Sequence, residues 1–186
     1  MQWRDIPKIE RWGKSFTVPW GHLEEQLASY AKESNLDLDP DFQREHVWSK
    51  EQQIKYVEYI LRDGNLSRHI IFNCPGFFDQ TDSVVEGQML LIDGKQRLQA
   101  ARLFIANELP VFGGLYRKDF IWQGDRTDRM PHHVSFTFYV NDLETRAEIL
   151  QFYLDLNAGG VIHSGEEIDR VRQLLAIEKS KQEKGS

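Results

Sequence analysis

This chain predicts an α+β domain in which a small mixed sheet is flanked by helices. Three observations carry that expectation: short apolar runs of strand length, segments whose apolar residues recur at helical spacing, and one strand-to-helix junction at Leu91-Ile92-Asp93-Gly94-Lys95-Gln96-Arg97-Leu98. The 186 residues, 40% hydrophobic and 12% aromatic, are enough to bury one proper core. No long linker, low-complexity tract or internal repeat divides the sequence, so a single domain is expected over residues 1–178. The polar ending, 179–186, is expected to form a flexible tail.

In chain order, residues 19–33 read as a helix after a short extended lead, with Trp20, Leu23, Leu27 and Tyr30 at core spacing. A second helix starts at Ser49, with Gln52 three residues later as in a capping box. Ile54, Val57, Tyr59, Ile60 and Leu61 follow, and Asp63-Gly64-Asn65 stops it. His69-Ile70-Ile71-Phe72-Asn73 and Gln88-Met89-Leu90-Leu91-Ile92 read as two strands of one sheet, separated by a loop containing Pro75, Gly76 and several acids. The helix expected over 96–107 carries Leu98, Ala101, Leu103 and Phe104. Ser135-Phe136-Thr137-Phe138-Tyr139-Val140 is a later strand, and helices close the chain. Between Leu109 and His133 the composition reads as a long loop or irregular hairpin with a basic bias.

Charge and cysteine content narrow the function classes. A formal charge of -6 argues against coating nucleic acid nonspecifically, which calls for a broad basic face. A local patch of Arg117, Lys118, Arg126 and Arg129 remains a candidate DNA contact, and a solvated face explains the same charges. Cys74 is the only cysteine, so no disulfide can form within the chain and no cysteine-rich zinc site exists; a reducing cytoplasm is the expected location. The start, Met1-Gln2-Trp3-Arg4-Asp5, lacks an apolar signal core. No stretch approaches the roughly 20 apolar residues of a membrane span, so no membrane partner is expected.

The junction at Asp93 carries the most chemistry. Glycine permits a tight turn, Asp93 is placed to cap the following helix, and the first amides of a helix have no acceptor within it. Such a helix start attracts phosphate, and Arg97 adds a planar, two-pronged donor. A plain strand-to-helix connection accounts for the same residues. Two other constellations stand apart in sequence. In Pro40-Asp41-Phe42-Gln43-Arg44-Glu45-His46-Val47-Trp48, the aromatics can anchor the segment while Arg44 reaches into a pocket, or Arg44 pairs with Asp41 or Glu45. In Phe152-Tyr153-Leu154-Asp155-Leu156-Asn157-Ala158-Gly159-Gly160, Asn157 is placed near a ligand, or Gly159 is simply a helix C-cap.

Taken in this order, the pair Gln43-Arg44 before Trp48, the run Asp93-Gly94-Lys95-Gln96-Arg97, and Leu156-Asn157-Ala158-Gly159-Gly160 followed by Glu166-Glu167-Ile168 form a pattern. It resembles the N-terminal domain family of GmrSD-type modification-dependent restriction enzymes, within the ParB and sulfiredoxin-like superfamily. The resemblance implies a ParB/sulfiredoxin-like fold and a nucleoside triphosphate pocket. Gln43, Arg44, Gly94, Lys95, Arg97 and Asn157 would bind the nucleotide, and, if the domain hydrolyses it, Asp93 and Gln96 would be catalytic, Asp93 also holding magnesium. It further implies a link to DNA restriction or phage defence and a separate nuclease or defence protein as partner.

Lys95 stands where the family usually has glutamine; the added cation either tightens phosphate binding or marks a copy that binds without turnover. His22, His46, His69, His132, His133 and His163 show no spacing of an HNH metal site, so DNA nicking or cleavage by this chain alone is not expected. A sulfiredoxin-like reductase would need a reactive cysteine beside the phosphate site, and Cys74 is not near Asp93 in sequence. A non-catalytic module that binds DNA or a defence complex remains the alternative class.

Overall fold

A computed structural model describes residues 13–43, 48–77, 87–122, 130–158 and 165–184. Its centre is a four-stranded sheet built from β1 (Lys14–Pro19), β2 (His69–Asn73), β3 (Leu90–Asp93) and β4 (Ser135–Asn141), in the order β1-β4-β2-β3. β1 pairs antiparallel with β4, β4 parallel with β2, and β2 antiparallel with β3. The sheet is therefore mixed, and the α+β expectation holds. Strand alternation sorts the side chains by face: Ile70, Phe72, Leu91, Phe136, Phe138 and Val140 enter one apolar cluster, whereas Ile71, Leu90 and Ile92 belong to another.

The larger cluster is closed by α1 (Leu23–Ser34), α2 (Lys50–Leu61) and α3 (Lys95–Ile105). Leu23, Leu27 and Tyr30 are the buried stripe of α1, and a 3-10 turn at Trp20–His22 brings Trp20 in just ahead of them. Helix α2 begins as expected: Ser49 accepts from the Gln52 amide and the Gln52 side chain accepts from the Ser49 amide. Its buried stripe is Gln53, Tyr56, Val57 and Ile60. Tyr59 turns outward, where its hydroxyl accepts the Leu66 amide at 2.9 Å. The smaller cluster lies on the other face, where α4 (Arg146–Ala158) and α5 (Gly165–Lys184) pack around Phe42 and Ile92.

Three details add to the sequence expectations. The extended lead before the first helix is strand β1, which forms only because residues 14–19 meet residues 135–140 across more than a hundred intervening positions. The polar ending continues as helix to Lys184, propped by local contacts such as Lys181 with Glu178 at 2.9 Å. The connection after α3 is irregular, as expected, with an antiparallel bridge between Val111 and Leu115, and its described part is pinned: Phe112, Phe120 and Trp122 pack on the larger cluster, and Trp122 Nε1 donates to the Arg117 carbonyl.

Candidate functional site

β3 ends at Asp93 and α3 begins at Lys95, so Gly94 alone turns the chain. Its φ is 101°, in the left-handed region. A β-carbon there would lie 2.5 Å from Ile70 Cδ1 and 3.2 Å from the His69 carbonyl oxygen, so backbone angle and neighbouring strand both demand glycine. Gly94 is also the N-cap, and α3 has no side-chain cap. The expectation that Asp93 caps this helix is corrected. Asp93 is still part of the strand, one position too early for the cap, and its carboxylate accepts from Arg97 Nη2 instead.

A cleft of about 450 Å³ opens around this turn. Asp93, Gly94, Lys95, Gln96 and Arg97 line one side, and Tyr153, Leu156 and Asn157 from α4 line it as well. Gln43, Trp48, Tyr56, Ser67 and Ile92 complete the lining. The cations are more enclosed than their partners. The Lys95 side chain is 19% exposed against 75% for Asp39, with which it pairs, and Arg97 is 18% exposed against 41% for Asp93. Arg97 Nε is buried with no hydrogen-bond partner among the described residues.

Two glutamines do architectural work here. Gln43 Nε2 donates to the Leu91 carbonyl on β3, which keeps residues 37–43 against the outer edge of that strand, where the Leu91 amide donates to the Asp37 carbonyl at 2.9 Å. Gln96, 8% exposed, accepts the Trp48 amide at 3.1 Å. The start of α3 thereby holds the residue that precedes the cap of α2. Trp48 in turn packs on Tyr56, with ring centroids 5.4 Å apart. The Tyr56 hydroxyl donates to the Ser67 carbonyl at 2.9 Å, and burial pushes its phenol well above the usual range, with Arg97 pulling the other way.

The structure thus gathers Gln43, Asp93, Gly94, Lys95, Gln96, Arg97 and Asn157 from three distant segments into one cleft. Asn157 sits in the last turn of α4, its amide nitrogen donating to the Tyr153 carbonyl at 2.7 Å. Arg44 lies outside the described residues, as do Gly159 and Gly160. Asp41, the alternative partner for Arg44, is held by both oxygens by Arg146 at 2.6 and 2.8 Å.

Tyr56 and Ser67 line the cleft without any sequence signal. Tyr56 reads as an ordinary core position of an amphipathic helix, and Ser67 lies in a turn with no motif. Of the basic patch, Arg117 and Lys118 occupy a 3-10 turn at Arg117–Asp119 away from the cleft lining, and Arg126 and Arg129 lie outside the described residues. Cys74 is fully buried, and burial raises its thiol pKa, so it is a packed side chain rather than a poised nucleophile. Among the described residues no group of three or more His, Cys, Asp and Glu side chains is arranged to hold a metal, and no helix is long and apolar enough to cross a membrane.

Comparison with curated proteins and with solved structures finds no match to this chain. A family model does match, over residues 25–157, and its span contains every cleft-lining residue named above. The description of that family is the GmrSD restriction endonuclease, N-terminal domain, and the match covers more than two thirds of the sequence. The chain belongs to the GmrSD restriction endonuclease N-terminal domain family.

Proposed function

We propose that this domain binds a nucleoside triphosphate in the cleft at the start of α3, in the service of DNA restriction or phage defence, on a scaffold of the ParB/sulfiredoxin-like kind. One observation carries the reading: a glycine-only turn sets the N-terminus of α3 beside Arg97, whose Nε is buried without a hydrogen-bond partner among the described residues. A helix start and a guanidinium together favour an anion that presents two or more oxygens side by side, as a phosphate does. Lys95 adds a second cation, and the aromatic wall of Trp48, Tyr56 and Tyr153 offers an apolar surface for a base. A volume of about 450 Å³ falls in the range of small-molecule sites. Gln43 and Gln96 serve by holding the walls in place, and Asn157 closes the cleft from α4.

Hydrolysis would rest on Asp93, the one carboxylate among the described lining residues. A single carboxylate is enough for magnesium when phosphate oxygens and water supply the remaining ligands, and the metal would offset charge on the transferred phosphoryl group. Binding without turnover is the second reading, favoured because Arg97 already neutralises that carboxylate. The cytoplasm is the proposed site of action, with a separate nuclease or defence protein as partner.

A thermal-shift panel of nucleotides, with and without magnesium, tests the binding. A ligand at a hundred times its dissociation constant stabilises by about 2.7 kcal/mol. Absence of any shift from every nucleotide would remove the reading. Phosphate release from wild type but not from Asp93→Asn separates turnover from binding alone.

A further inference from the structure

Resting on the phosphate-binding reading above, we propose that Asp93 is a built-in competitor for the phosphate site, occupying the Arg97 guanidinium until a ligand with enough negative charge displaces it. The ion pair lies within the cleft lining, between the last residue of β3 and the first turn of α3. Arg97 is anchored by its position on the helix and mostly enclosed, whereas the Asp93 carboxylate is the more exposed partner. The carboxylate is thus the member that can be released to water at lower cost. Arg97 Nη2 donates to it while Nε makes no hydrogen bond among the described residues, so the guanidinium is only partly used by the contact. A phosphate presenting two or three oxygens can engage a guanidinium through two parallel bonds, which is the stronger mode.

The consequence is selectivity. An anion reaching this cleft meets a local charge that is already balanced at two places, by Asp93 on Arg97 and by Asp39 on Lys95. A polyphosphate carries enough charge to exchange with both carboxylates. A lone phosphodiester of a nucleic-acid backbone carries a single charge and gains little from the exchange. Asp93 is then a specificity-determining residue of the cleft, set against weak anions.

The test is calorimetric titration of inorganic tripolyphosphate, in chelator and without divalent cation, into wild type and Asp93→Asn, each checked for a native unfolding transition. Asp93→Ser replaces the asparagine variant if the latter does not fold. The expected result is affinity at least tenfold tighter in the variant, persisting at 0.5 M salt. At that salt the screening length is about 4 Å, so a merely long-range effect of removing one charge would be largely suppressed while a contact exchange remains. Equal or weaker binding by the variant, or a gain that disappears in salt, overturns the competition and leaves the phosphate site standing. No binding by wild type or variant, matched by no binding to nucleotide in magnesium, overturns both.

Discussion

The two helices that meet at the cleft begin in opposite ways. Helix α2 starts with a complete capping box, Ser49 and Gln52 exchanging side-chain and backbone bonds. Helix α3 starts with a left-handed glycine and no side-chain cap, although Asp93 stands immediately before that glycine. A cap contributes about 1 kcal/mol, and the sequence applies it at one helix and omits it at the other. The difference leaves the first amides of α3 without a side-chain acceptor, which is what the proposed phosphate site calls for. An acidic cap there would fill the space and the positive potential that a phosphate requires. The two starts are nonetheless joined, because Gln96 in the first turn of α3 accepts the amide of Trp48, the residue just ahead of the Ser49 cap.

The most damaging way to break this comparison is Gly94→Ala. The new β-carbon would meet Ile70 and the His69 carbonyl at a backbone angle that disfavours L residues, so a loss of about 3 kcal/mol in denaturant unfolding is expected. Arg97→Ala acts on function rather than fold. Nucleotide affinity should fall ten- to a hundredfold in calorimetry, the equivalent of about 1.5–3 kcal/mol, and a variant that precipitates instead would make Arg97 a structural partner of Asp93. Gln96→Leu leaves the Trp48 amide without its acceptor and should cost about 2 kcal/mol of stability while also weakening the ligand, since both helix starts shift. Ser49→Ala is the smallest change. It should cost about 1 kcal/mol in unfolding and leave nucleotide affinity within error, and a loss of affinity equal to that of Gln96→Leu would show that the two starts are one unit.

Most of the scaffold was legible because its signals are local. Ser49 and Gln52 announce a helix start within four residues, and β2 and β4 are apolar runs whose ends match the strands closely. β1 was not, because Lys14–Pro19 has little to mark it until β4 supplies its hydrogen-bond partners. The cleft divides along the same line. Gly94, Lys95, Gln96 and Arg97 could be assigned to a helix start from their order alone, yet nothing near Gln43 tells that its amide braces Leu91, and nothing near Asp93 tells that Arg97 takes its carboxylate. Tyr56 and Ser67 enter the lining only through packing between elements distant in the chain. Burial of Gln43 and Gln96 was the outcome least accessible to composition, since glutamine is ordinarily a surface residue.

The strand order β1-β4-β2-β3 has a consequence for how the protein is made. β4 is the strand on which both β1 and β2 dock, and it is the last of the four to leave the ribosome. Until residues 135–141 emerge, β1 has no partner and β2 is paired on one side only, by β3. A nascent chain of some 130 residues therefore holds β2 and β3 as a pair whose β2 edge is still open, and two-stranded ribbons are marginal in water. Completion of the sheet comes late and nearly at once, as β4 closes a gap between segments made at opposite ends of synthesis. During that interval the chain presents unpaired strand edges, the condition in which chaperones are recruited.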